Sequence, residues 1–335
     1  MKHCIIAAAL CLLIAVLLPT ALWEYRQSAG TVPASEDAAG PTPGETPAPV
    51  TVRADSALTV TLLRGGETAV MTMEEYLPGV VAGEMPAAFA PDALRAQAVA
   101  ARTYALYRKR TGSAAHPEAD VCGDPGCCQA WLDEDALRGR WGEDYERYAE
   151  IIASAAADTD GMILCWENEP ILACFHASSA GMTESSAALW GTALPYLVSV
   201  ESPETAQDVP GFVTSVEVSP EELASAVREL APRADLTGAP ERWIGESIPD
   251  RGGRVSVIRI GGAALTGAAL RDRFGLRSGC FTLSWTGHSF LFTVTGSGHG
   301  AGMSQYGANV MARQGSTWQE ILAHYYPGTQ LVRLR

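Results

Sequence analysis

The stretch YLPGVVAGEMPAAFAPDALRAQAVAARTYALY, Tyr76 to Tyr107, carries two helical patterns with one carboxylate, Glu84, between them. Leu77, Val80, Val81 and Glu84 fall at i, i+3, i+4 and i+7, so a helix here puts Glu84 on its apolar stripe. Pro86 disfavours helical geometry at Met85, which ends that helix at about Glu84, near the negative end of its dipole. Partial burial and the dipole both disfavour the ionised form. Both push the carboxyl pKa up, as a general acid working near neutral pH requires. The competing reading is a carboxylate that only marks a helix end. The second helix opens on Pro91 and Asp92, is carried by alanine and is followed by Gly112. Leu94, Ala98, Ala101 and Ala105 give it a small-residue face for close packing. Arg95 and Arg102 share another face with Val99 and Leu106 between them. Two arginines on such a stripe suit an anionic or hydroxyl-rich ligand near Glu84, with surface solvation as the alternative.

Upstream, Cys4 to Trp23 is a charge-free run of about twenty residues, long enough to cross a bilayer as a helix. Lys2 precedes it, which places residues 1–3 inside. A cleaved signal peptide is the other reading, but Pro19-Thr20-Ala21 is a poor cleavage site and Trp23 and Tyr25 resemble interfacial anchors. An uncleaved, single-pass anchor over 4–23 is therefore expected. Residues 24–50 are rich in Pro, Ala, Thr and Gly and cannot form a core, so they read as a linker. Residues 51–335 form the folded part, on the outer side of the membrane. A formal net charge of −14 argues against nucleic acid or an anionic lipid surface as partner.

Within the folded part, Thr59 to Leu63 reads as a strand in a hairpin around Gly65-Gly66. Thr72 to Glu75 has capping-box form, while Pro78 points to regular helix beginning nearer Leu77. Asp135 to Thr159 is helical in pattern, and Gly161 to Phe175 reads as a hairpin. Residues 211–295 read strand, helix, two strands, helix, hairpin, a structural segment without a cluster of chemistry. The expected fold class is α+β: helices mixed with antiparallel strands and hairpins, around a substrate cleft.

Three further groups of residues carry chemistry. HPEADVCGDPGCCQ, in a loop at 113–130, gathers His116, Cys122, Cys127 and Cys128. Thiolates and an imidazole this close are zinc-like ligands, whereas outside the cytoplasm a disulfide is the ordinary alternative. His176 to Thr183 is a polar, small-residue loop at a strand end, the kind that places hydroxyls and backbone amides at a ligand. His299 lies between Gly298 and Gly300, which let the backbone approach a ligand and leave the imidazole exposed; Ser304, Gln305 and Tyr306 then open a helix.

EEYLPGVVAGEMP (74–86) and ALRAQAVAARTYAL (93–106) resemble the signature of the stage II sporulation protein D family of extracytoplasmic lytic transglycosylases. FHASSAGMTESSAALWG (175–191), residues 253–281, GSGHGAGMSQYGA (296–308) and YYPGT (325–329) are similar to the same family. The resemblance implies a membrane-anchored enzyme of the sporulation septum that cuts peptidoglycan glycan strands. Its partners would be a stage II sporulation amidase and membrane proteins. It implies Glu84 as the catalytic acid, no cofactor for catalysis, and a structural zinc on His116, Cys122 and Cys128, with Cys127 as fourth ligand. Arg95, Arg102, His176, Ser178, Ser179, Thr183, His299, Gln305 and Tyr306 would hold the sugars. The small residues Ser178, Ser179, Gly181, Gly300 and Gly302 would pack against sugar rings and leave little room for a stem peptide. Hydrolytic glycosidases use two carboxyls roughly 5 to 9.5 Å apart. No second acid here is as well placed as Glu84, and a lytic transglycosylase needs one. Amidase enhancers share the domain, so a glycan-binding activator of an amidase is the alternative function.

Overall fold

The computed structural model describes residues 54–334. The proposed anchor at 4–23 and the linker at 24–50 lie outside the described residues. Among the described residues, no helix is long and apolar enough to cross a membrane.

The acid helix runs Met73–Glu84 and the long helix Pro91–Thr111. Thr72 caps the first with a complete capping box, so the helix begins at Met73, earlier than the start nearer Leu77 that Pro78 suggested. A reciprocal cap fixes the first turn, and the helix carries Pro78 as its sixth residue. Tyr76, Leu77, Val80 and Val81 of the acid helix are buried in the same apolar cluster as Leu94, Ala98, Ala101 and Ala105 of the long helix. The alanine face lets the two helices approach closely, as its composition implies. Helices Glu134–Trp141 and Tyr145–Asp158, and Trp318–Tyr325 near the C-terminus, close this core with Ile152, Ile321, Leu322 and Tyr325.

Strands Thr59–Arg64 and Glu67–Thr72 form the hairpin around Gly65-Gly66, and the two-residue strand Val121–Cys122 joins its edge in parallel. That pairing ties the cysteine loop to the sheet. Met162–Trp166 turns back at Glu167 and Asn168, both left-handed (φ 52° and 66°), and pairs with Gln330–Arg333 on its other edge. The returning strand of this hairpin pairs only over Glu169–Pro170.

Residues 213–295 build a second core of Val218, Leu223, Val227, Ile258, Phe290 and Phe292. One sheet joins Val213–Val218, Phe290–Thr295 and Phe281–Trp285. The other has Val255–Ile260 between Ala263–Thr266 and Ile244–Pro249. The sequence pattern of two strands between the helices becomes three. Ile244–Pro249 is exposed almost throughout and pairs with an irregular register, so it shows no alternation to read.

Arg102 belongs to the fold and not to a ligand site. It is fully buried. Its Nε and Nη2 donate to Asp55 at 2.7 and 2.6 Å, and Nη1 donates to Met162 O at 3.0 Å. The carboxylate that neutralises it lies forty-seven residues away in sequence, so spacing along the helix could not reveal the pair.

Candidate active site

The backbone at Met85 turns extended (φ −122°, ψ 146°), so the acid helix stops at Glu84 as Pro86 dictates. Gly79 and Gly83 strip side chains from one face of that helix, and residues 129–132 lie directly on it. A Cβ at Gly83 would meet Ala130 O at 3.0 Å, and one at Gly79 would meet Trp131 Nε1 at 2.4 Å. This approach delivers the Ala130 N–H to Glu84 Oε1 at 2.5 Å. From the opposite side, Gln305 Nε2 donates to Oε2 at 3.3 Å. Burial raises the Glu84 pKa above the ordinary carboxylate value, and the Ala130 and Gln305 hydrogen bonds offset only part of that. Both carboxyl oxygens are thereby aimed, and the group keeps its proton to higher pH than a free glutamate.

The strap on Glu84 is the direct continuation of the cysteine loop. The donor atoms of His116, Cys122, Cys127 and Cys128 all lie within 4.8 Å of one another. Four ligands on one tetrahedral ion stand about 3.3–3.8 Å apart, so a modest contraction would seat a metal. His116 fits this use. Its Nδ1 faces Ala119 O at 3.1 Å and its Nε2 faces Cys128 Sγ at 3.2 Å, the arrangement in which one ring nitrogen is oriented by a carbonyl and the other is free to ligate. Cys122, Cys127 and Cys128 are unbridged. The adjacent pair Cys127-Cys128 does fold back onto one point, because Cys127 N and Cys128 N both bond to Asp124 O. The cluster can hold a metal ion.

Gln305 and the histidines form the facing wall. Met303–Ser304 pairs in parallel with Phe175–His176, which joins the His176 loop to the start of helix Gln305–Arg313. His176 Nε2 meets Ser179 Oγ at 2.7 Å, and its ring lies 5.8 Å from that of His299. Burial holds His176 well below the usual histidine range. Burial, and then the nearby Arg254 charge, lower His299 to about 4. Both imidazoles are neutral at pH 7.

Several residues expected to hold sugars are engaged by the protein itself. Arg95 pairs with Asp158 at 2.7 Å and with Asp92 at 3.5 Å on the surface. Thr183 is buried, its hydroxyl accepting from Val200 N at 2.9 Å in a backbone strap. Ser178 is buried in a bridge to Ser297. Ser179 is buried as well; its N–H donates to Glu204, and its hydroxyl serves His176. Tyr306 packs edge-on against Phe89 at 5.0 Å. The glycines near His299 make room for protein rather than for a sugar: a Cβ at Gly300 would meet Arg254 Nη2 at 2.0 Å, and one at Gly302 would meet Cys174 O at 2.0 Å. His299 itself is partly covered by His176 and by Trp190, 6.0 Å away.

Glu84, His176, His299, Gln305, Cys127 and Cys128 therefore converge on one cavity of about 710 Å³, completed by Tyr104, Arg108 and Trp190 among others. On its other side Glu84 lines a second depression of about 350 Å³ with Pro86, Arg140, Trp141 and Tyr148. Sequence reasoning missed Tyr104 and Arg108, although they stand four apart on the long helix, and it missed Trp190, an exposed indole (47%) ending a short helix. It also missed Glu204. This buried carboxylate accepts from Ser179 N and Ser202 Oγ, both at 2.6 Å, and from Ser304 Oγ at 2.5 Å. Ser304 caps the Gln305 helix, so Glu204 fixes the His176 loop and Gln305 together.

The chain is 36% identical to "Stage II sporulation protein D" of Bacillus subtilis (strain 168) over 336 aligned residues, covering 98% of this chain and 95% of that protein. The chain belongs to the stage II sporulation protein D family. The Bacillus amyloliquefaciens protein of the same name is 38% identical, with 77% of this chain and 74% of the relative covered. The family model described as "Stage II sporulation protein" matches residues 65–166, which hold the acid helix, the long helix and the cysteine loop. A more distant relative, "Amidase enhancer" of Bacillus subtilis (strain 168), is 25% identical over 76% of this chain and 40% of its own length.

Proposed function

We propose that this family member is a membrane-anchored lytic transglycosylase. It cuts the bond between N-acetylmuramic acid and N-acetylglucosamine in peptidoglycan strands, preferably stripped of stem peptides, and leaves 1,6-anhydro ends during remodelling of the sporulation septum. One observation carries the reading: Glu84, half-buried and raised in pKa, stands at the junction of two depressions. Among the described residues lining them, it is the one carboxyl group. A polymer lying through both would present a glycosidic oxygen to it.

Protonated Glu84 gives its proton to the glycosidic oxygen as the bond to muramyl C1 breaks. The resulting carboxylate then takes the proton of the muramyl 6-hydroxyl, whose oxygen closes on C1; no water is consumed and the acid is regenerated. Ala130 N–H and Gln305 stabilise the transient carboxylate, and Gln305 keeps it aimed. The neutral ring of His299, part-exposed in the cavity, can meet sugar hydroxyls and acetamido groups, with His176 buried behind it on Ser179 Oγ and Ala301 O, while the Trp190 indole offers a flat face to a sugar ring. Because the reaction begins from the protonated acid, turnover should fall as pH rises through the raised Glu84 pKa. Removing the Gln305 donor by Gln305→Leu should move this alkaline limb to higher pH. A limb that stays in place would detach Gln305 from Glu84.

His116, Cys122, Cys127 and Cys128 would hold a zinc ion, which with four protein ligands would be structural. These four residues would thereby fix the segment whose Ala130 N–H reaches Glu84. Protein purified without added metal should carry about one zinc per chain. Cys122→Ser should cost ~2 kcal/mol or more of stability. A loop with neither metal nor titratable thiols would instead hold a disulfide.

The name of the amidase-enhancer relative favours one second reading, a glycan-binding activator of an amidase. Stimulation of a peptidoglycan amidase by Glu84→Gln protein would support it. The anchor is tested by fractionation: a shortened soluble chain beginning near Ala21 would overturn it.

A further inference from the structure

Arg108 is the one lysine or arginine among the described residues that line the 710 Å³ cavity beside Glu84. Its neighbours on the helix are paired, Lys109 with Asp120 at 3.9 Å and Arg110 with Glu169 at 3.3 Å. Arg108 has no carboxylate within ion-pair distance among the described residues, in a chain with 38 acidic and 24 basic side chains. Its Nε is buried without a hydrogen-bond partner. Nη2 makes one long bond to Ser113 Oγ at 3.3 Å, and the guanidinium stands 5.9 Å from the Tyr104 ring centre and beside the Cys128 thiol. A buried, unsatisfied guanidinium N–H costs free energy that an anionic ligand would recover, and its planar fork suits a carboxylate.

We propose that Arg108 binds the free lactyl carboxylate of muramic acid. This rests on the glycan reading above and names the residue behind its selectivity. The sugars of a glycan strand are neutral apart from that group. While a stem peptide is attached, the lactyl carboxyl is an amide; hydrolysis of that amide leaves an anion on every second sugar. A cation beside the catalytic acid thus reads the product of amide hydrolysis, and an amidase-class reaction must supply the substrate. The anion-binding role expected of Arg95 and Arg102 falls to the arginine at the far end of the same helix.

The test measures binding in full-length Glu84→Gln protein, so that it does not depend on turnover. Three ligands are compared: stripped strands with free lactyl carboxylates, the same strands with those groups converted to methylamides, and strands with intact stem peptides. The free-carboxylate strands should bind about 10- to 100-fold more tightly than either of the others, with the margin shrinking as salt is raised. Adding Arg108→Gln should collapse that margin at unchanged metal content, and Arg108→Lys should keep part of it. Equal binding of free and methylamide strands would overturn the proposal, as would a margin that survives Arg108→Gln. Tighter binding of peptide-bearing strands would overturn it in favour of stem-peptide carboxylates. Failure of the wild type to form anhydro ends would remove the transglycosylase reading and leave this preference standing.

Discussion

Glu84→Gln should give a folded protein that binds glycan and turns over about 10²–10⁴-fold more slowly than the wild type. The amide keeps the shape and can still accept from Ala130 N–H, and the Gln305 amide can rotate to present its oxygen instead of its nitrogen. What is lost is the proton. The same substitution should raise stability modestly at neutral pH. Burial raises the Glu84 pKa in the folded state, so folding binds a proton more tightly than the unfolded chain does. The resulting stabilisation is complete below the unfolded pKa and is lost as pH rises towards the folded one. A neutral amide removes that loss. Glu74 and Asp92 line neither depression, and their amide variants should turn over like the wild type. Equal losses from all three would mean that a general charge effect, and not a positioned acid, underlies activity.

Arg102→Ala should be the most destabilising single change in the domain, at about 3–5 kcal/mol, because it leaves Asp55 charged, buried and without its fork of donors. Denaturant unfolding measures it. Under conditions where the variant remains folded, its turnover should lie near that of the wild type, since Arg102 touches neither depression. Replacing the pair together, Asp55→Asn with Arg102→Met, should recover much of the stability. Full stability with lost turnover would instead return Arg102 to the substrate.

The pair Asp55–Arg102 also shows where sequence reasoning stops. Its helical spacing and apolar neighbours were plain along the chain, but the same pattern describes an arginine facing a ligand and one facing a buried carboxylate from a distant segment. Glu84 was legible because two local rules, the apolar stripe and Pro86, act within a few residues of it. The cysteine loop was legible as a donor set, and the fold adds that Cys127 and Cys128 both reach it. The small residues around His299 misled: glycine marks close approach without saying what approaches, and here it is His176, Arg254 and the Cys174 backbone. Glu204 and Arg108 carry no local signature. Their roles arise from Ser179, Ser202 and Ser304 meeting at one carboxylate, and from the absence of a pairing acid among the described residues. The α+β class followed from periodicity and turn pairs such as Gly65-Gly66, whereas Ile244–Pro249, with no buried face, did not.

The central claim, that Glu84 breaks glycan strands without water, is tested most directly by mass spectrometry of peptide-stripped glycan digested in heavy-oxygen water. The wild type should release fragments ending in 1,6-anhydro-muramic acid, one water lighter than hydrolysis products and free of label, and Glu84→Gln should release essentially none. Labelled reducing ends from the wild type, or anhydro ends from folded Glu84→Gln protein, would contradict it.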